Sequence, residues 1–200
     1  VIYSYTPEDE ERFSEFLEAT GHSILKKLFE EEPKVLSPAI HLKLLTELRN
    51  YFSVGGMPAC VAHFAESRSL IRVREIQQDL LATFRQDFLK YTPYVNTQCL
   101  QEVLASAAQH IGQQISYTKL SSNFTGPTNK KAFDLLTTSK VLHKIPSVSP
   151  LAMPLSGNVL SKRFKAVVLD IGLLTAMRGV DAEYTGDYHG VFKGSVAEQF

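Results

Sequence analysis

The chain has 200 residues, 44% hydrophobic and 21% charged, with 21 Lys/Arg balanced by 21 Asp/Glu. That composition argues against disorder and leaves room for one or two hydrophobic cores. Its two cysteines, Cys60 and Cys99, lie in no CxxC or Cys/His spacing, which points to free thiols in a reducing compartment rather than a disulfide framework or a zinc site. No apolar run approaches the roughly 20 residues of a membrane span. The opening VIYSYTPEDEER also lacks the basic start and apolar stretch of a leader, so the expectation is a cytoplasmic protein with no membrane contact.

In chain order the periodicity predicts mostly helix. Glu11 to Phe29 is amphipathic, with Phe13, Phe16, Leu17, Ile24, Leu25 and Leu28 on one broad face, and Pro33 ends it. Ser37 followed by Pro38 signals a cap and a first helical position, and Gly55 and Gly56 stop that helix before Pro58 restarts one. The row Val73, Ile76, Leu80, Phe84 and Phe88 predicts a long helix from Ser69 to Tyr91, ended near Pro93. Cys99 to Ile111 is another, with Leu100, Val103, Leu104 and Ala107 inward and Gly112 as its stop.

Beyond Gly112 the elements shorten. Ser116 can cap a helix through Asn123, Phe124 to Pro127 makes a turn, and Thr128 caps a second helix through Ser139 that leaves Asn129, Lys130, Asp134 and Thr137 exposed. Val141 to Ile145 and Phe164 to Leu169 are strand candidates flanking the loop PSVSPLAMPLSGN. Helix, turn, helix and two strands is the order of a winged helix-turn-helix, in which the strands pair antiparallel and the loop between them is the wing.

Charge is unevenly placed. Residues 1 to 32 hold nine acids, whereas Ser116 to Lys165 holds eight Lys/Arg against a single acid, Asp134. A basic stretch on this module predicts contact with phosphates by Lys119, Asn129, Lys130, Lys131, Lys140, His143, Lys144, Lys162 and Arg163, with Lys165 beside them. Lysine predominates, and an ammonium neutralises phosphate without demanding a sequence, so such binding is weak and salt-sensitive. The competing reading is a structural connector whose lysines are solvated or face acidic helices of a neighbouring domain, because fold does not imply function.

Five landmarks in order carry a resemblance: GGMPACV at 55 to 61, RQDFLKY at 85 to 91, the helix-turn-helix, KRFKAVVLDIGLL at 162 to 174 and GSVAEQF at 194 to 200. Together they resemble the uncharacterised C-terminal domain of predicted bacterial and archaeal AAA-type ATPases. The resemblance implies a mainly α chain: a helical linker at 1–57 after an ATPase core, a helical subdomain at 58–112, a winged helix-turn-helix at 113–169, and the truncated start of a restriction-nuclease-like α/β module at 170–200. It also implies that ATP and magnesium belong to a P-loop domain outside this chain, whose sequence has no GxxxxGK[ST]. The expected partners are that ATPase domain and DNA.

No complete catalytic signature accompanies these landmarks, so no catalytic residue is assigned. By the same resemblance Glu198 matches the first acid of a nuclease-like fold. The Asp and Glu-x-Lys that would complete a divalent-metal site are not in the chain, and a lone carboxylate cannot hold magnesium for phosphodiester cleavage. A surface or inter-helix ion pair is the plainer reading of Glu198. Asp79 and Asp87 sit eight apart on one helix, and pairing of Asp87 with Lys90 or Arg85 accounts for it better than acid/base catalysis. The six histidines show no metal-ligand spacing, so no metal ligands are assigned. Two classes of function follow: a DNA-associated regulatory region of an ATPase, or a protein-interaction module with a degenerate nuclease-like end and no role with nucleic acid.

Overall fold

In the computed structural model, residues 12–31, 36–88, 90, 95–148, 159–179, 194 and 197–200 are described, with only the backbone at 148 and 159–162. Pro33, Pro93 and most of the predicted wing lie outside these residues. Among them the chain is mainly helical with one two-stranded antiparallel sheet. It divides into two compact units, Val1–Leu81 with Asp170–Asp187, and Ala82–Leu169 with Tyr188–Phe200.

In unit 1 the first predicted helix is two, α1 (Phe13–Ala19) and α2 (Ser23–Glu30). The break falls at Gly21, whose φ of 80° is open to glycine at little cost, after the Thr20 hydroxyl has turned back to the Phe16 carbonyl at 2.7 Å. The Arg68 guanidinium also donates to the Thr20 carbonyl. α3 (Pro38–Val54) starts as expected, with Pro38 in the first turn and Ser37 Oγ accepting from the Ile40 amide at 3.5 Å. α4 (Pro58–Ser67) restarts at Pro58. Phe13, Phe16, Tyr51 and Phe64 bury together, with the Phe16 ring 5.4 Å from Tyr51 and 5.9 Å from Phe64. Each such ring contributes roughly 1.5–3 kcal/mol of burial, which makes this cluster the main anchor of α1 on α3 and α4.

α5 (Leu70–Phe88) is the long helix, and Val73 and Phe88 are buried as the predicted row has them, but between them the buried positions are Gln77 and Leu81. Ile76, Leu80 and Phe84 are half-buried instead. The cause is Gln77, fully buried because its amide donates to the Ser53 and Val54 carbonyls, both at 2.9 Å, and accepts from Arg74 at 2.9 Å. Those carbonyls are left over at the end of α3, so a glutamine from another helix caps them. α9 (Ile171–Met177) completes the junction. Its N-cap, Asp170, is fully buried and accepts from the Leu173 and Gly56 amides, each at 2.7 Å. Gly172 is required here because a Cβ would lie 2.4 Å from the Val54 carbonyl oxygen.

In unit 2, α6 (Thr97–Gln109) begins two residues before the expected start, with Asn96 accepting from the Cys99 amide at 3.1 Å. α7 (Tyr117–Leu120) stops before the predicted Asn123. α8 (Gly126–Thr138) starts at Gly126 rather than after Thr128: Gly126 and Pro127 are its first two residues, where a missing N–H costs nothing. Its end is a Schellman closure, Lys140 amide to Thr137 carbonyl and Val141 amide to Leu136 carbonyl, with Lys140 at φ 63° in the place usually held by glycine.

β1 (Leu142–Val148) and β2 (Val159–Val168) pair antiparallel, as the sequence predicts, and both are longer than predicted. Pro146 lies inside β1, opposite Phe164. Its missing N–H loses no ladder bond, because the Phe164 amide and carbonyl turn the other way and bond Ile115 at 3.1 and 2.8 Å. A third segment thus joins β2 through an antiparallel bridge at Ile115. Phe164, Phe133 and Tyr117 form the aromatic centre of the unit, with Phe164 4.7 Å from each of the other two rings.

Candidate nucleic-acid interface

The neutral total hides a strong partition. Unit 2 carries eleven Lys/Arg against four Asp/Glu, a formal +7, and unit 1 carries ten against seventeen, a formal −7. A +7 surface on about a hundred residues attracts polyanions over a Debye length of about 8–10 Å at physiological salt.

Within unit 2, Lys119 on α7, Lys130 and Lys131 on α8, Lys140 after it, Lys144 on β1 and Arg163 on β2 are all exposed. Lys130 is in an i,i+4 pair with Asp134 at 3.4 Å. Among the described residues no carboxylate lies within ion-pair distance of Lys119, Lys131, Lys140 or Arg163. Arg163 owes its place to a bulge: between Pro146 and Ser147 the pairing on β2 jumps from Phe164 to Leu160, so Ser161, Lys162 and Arg163 have no partners across the sheet. Such a bulge re-aims side chains away from the ladder. Only the backbone of Lys162 is described.

Lys144 is held rather than free. Its ammonium donates to Tyr117 Oη at 2.8 Å and stands 5.3 Å from the Tyr117 ring and 5.1 Å from the Phe164 ring. Three contacts fix a cation whose stem is otherwise flexible, so less entropy remains to be lost when it meets an anion. Tyr117 is a residue the sequence reading passed over; its signal was only an aromatic beside a short basic helix. His143 is half-buried, and burial first, then the charge of Lys140, hold its pKa below the usual 6.5. At neutral pH it offers a hydrogen bond and no charge.

Asn129 corrects an expectation of exposure. It is fully buried, and its amide donates to the Tyr117 and Ser121 carbonyls, both at 2.9 Å, while its oxygen faces Cys99 Sγ at 3.5 Å. The reason is helical spacing: position 129 precedes Ala132 by three, Phe133 by four and Leu136 by seven residues, so it shares their inward face of α8. Its amide closes the turn between α7 and α8 and cannot reach a base edge.

Glu198 meets Lys165 in an ion pair. Beside it the Gln199 amide accepts from the Val168 amide at 2.9 Å and donates to the Val168 carbonyl at 2.6 Å, in the manner of a neighbouring strand. No group of three His, Cys, Asp or Glu among the described residues could hold a metal ion. Asp87 pairs with Lys90 at 2.6 Å.

Unit 1 contains a buried thiol near a carboxylate, Cys60 by Asp170, a juxtaposition that could suggest a nucleophile. The environment argues otherwise. Burial, and then the Asp170 charge, push the Cys60 thiol from about 9 up to about 12, so at neutral pH it is protonated and inert. Because the folded value lies above the unfolded one, this group's contribution to stability is whole below pH 9 and is lost as pH rises toward 12. Alkylation at pH 8 should therefore be negligible at Cys60 in the folded chain and complete in urea, as read by mass spectrometry. Rapid labelling of native Cys60 would contradict this placement.

No helix among the described residues is long and apolar enough to cross a membrane. A family model described as a domain of unknown function, DUF8612, matches residues 45–184. No curated protein and no solved structure matches the chain.

Proposed function

We propose that this chain, which belongs to the DUF8612 family, holds nucleic acid without sequence preference through a winged helix-turn-helix formed by residues 96–169. The observation that carries the reading is the pairing of Ile115 with Phe164. It puts a single bridging residue where that module has a short strand between its first and second helices, so that α6, Ile115, α7, α8, β1 and β2 match the helix, strand, helix, helix, strand, strand order of that module. The formal +7 of unit 2 supports phosphate contact, as do Lys119, Lys131, Lys140 and Arg163, which have no carboxylate within ion-pair distance among the described residues. The loss of Asn129 to the interior supports the absence of base readout, since asparagine is a side chain suited to adenine and here it is spent.

In the wider reading, this is the DNA-associated region of an AAA-type ATPase, with ATP and magnesium handled by a P-loop domain. The ordered landmarks of the sequence support it, and two of them are joined in unit 1, where Gly56 of GGMPACV donates to Asp170 of KRFKAVVLDIGLL.

The test is a salt titration on two unrelated duplexes. Changing Lys119, Lys131 and Arg163 together to Ala should weaken both complexes alike and flatten the slope of log affinity against log salt by up to about 2.7 units, near 0.9 for each lost phosphate contact. Circular dichroism should be unchanged, because all three side chains are exposed. No binding by the wild type at low salt would remove the nucleic-acid reading and favour a protein-interaction module.

A further inference from the structure

We infer that Glu198 is an internal competitor for phosphate, seated on Lys165 and lowering the affinity of the basic unit for nucleic acid; this regulates the site proposed above and rests on that reading. Three observations carry it. The Lys165 ammonium is engaged by the Glu198 carboxylate, and the two side chains remain 37% and 38% exposed. Both groups therefore face water, where an ion pair is exchanged readily for another anion. The carboxylate is also tethered: Gln199, next in the chain, is fixed by two hydrogen bonds to Val168, three residues along β2 from Lys165. That anchor does not involve the Glu198 side chain, so it keeps the carboxylate at high effective concentration beside the ammonium whether or not the pair is closed.

The third observation is the setting. Lys165 follows the bulge that carries Lys162 and Arg163, and its cross-strand partner is the exposed Ile145. Glu198 is thus an anion placed beside the most basic run of β2, at a cation that would otherwise add a phosphate contact. A duplex binding along this strand must displace the carboxylate or forgo Lys165. Displacing it costs the ion pair, and forgoing Lys165 withholds one counterion-releasing contact, so affinity falls in both cases.

The experiment compares wild type, Glu198→Gln, Lys165→Gln and the double variant, all in the 200-residue chain, by fluorescence anisotropy on a labelled duplex across salt. Glu198→Gln should bind more tightly with a slope steeper by up to about 0.9, so that its advantage over wild type shrinks by up to about 3.5-fold between 50 and 200 mM salt. In the Lys165→Gln background the same change should leave the slope where Lys165→Gln alone puts it. That arm separates the pairing from a general gain of one positive charge, which would steepen both backgrounds equally. Wild type that binds while Glu198→Gln changes nothing, or changes both backgrounds alike, overturns the competitor and leaves the interface standing. Absence of binding by wild type and Glu198→Gln at low salt overturns the interface and the competitor together.

Discussion

Replacing Gly55 by Ala should leave unit 1 unable to hold its α3, α4 and α9 junction. Gly55 has φ 77° and ψ −171°, a region essentially closed to residues with a side chain, at a strain of about 1–3 kcal/mol. The larger effect is spatial. A Cβ there would lie 2.4 Å from both carboxylate oxygens of Asp170, so that carboxylate must move. Moving it breaks the bonds to the Gly56 and Leu173 amides, and hydrogen bonds to a charged group contribute about 1.5–3 kcal/mol each. The sum is comparable with the whole stability of a typical domain, about 5–15 kcal/mol.

Gly21 provides the control, since its φ is 80° but nothing lies within 4 Å of where a Cβ would go. Gly21→Ala should lose only the backbone term, about 1–2 kcal/mol. Hydrogen exchange read by mass spectrometry over 38–67 and 171–177 distinguishes the two. Equal loss of protection in both variants would show that Asp170 does not hold the junction.

Asn129→Ala should destabilise unit 2 by about 2–6 kcal/mol, because it removes the donor from one buried and one part-buried carbonyl, and each group left unsatisfied costs about 1–3 kcal/mol. The carbonyls are those of Tyr117 and Ser121, so protection should fall first in α7 and at the start of α8. Asn129→Asp should be at least as damaging, since it sets an anion against the same oxygens. Under conditions where the variant is still folded, the salt slope on nucleic acid should equal that of wild type, because no phosphate contact has gone. Altered preference between two duplexes with stability intact would show that Asn129 reads bases.

The legibility of this chain differed by scale. Helices with strong apolar periodicity and clear punctuation were visible in the sequence: Ser37 and Pro38 open α3, Gly55 ends it, Pro58 opens α4, and the two strands pair in the predicted sense. Boundaries set by a single residue were less visible. Gly126 and Pro127 read equally as a turn or as a first helical turn, and choosing the turn started α8 about three residues late; Asn129 was misplaced separately, because its polar side chain outweighed its position four residues before Phe133 on the inward face. The bridge at Ile115 involves one residue pair, and a single residue has no period to detect.

What the sequence by itself determined is the mainly helical class, the antiparallel pair of strands and the basic character of the segment from Ser116 to Lys165, because these depend on local pattern and on a count of charges. Only the tertiary structure decided which charges are free. Lys144 is fixed by Tyr117 and Phe164, Lys165 is occupied by Glu198, and Asn129 is consumed by two carbonyls, all through partners between 8 and 33 residues away in sequence. The junction of Gly56 and Asp170 spans 114 residues. Burial and pairing of a polar group are properties of the space around it, and that space is assembled from segments whose meeting no local spacing encodes.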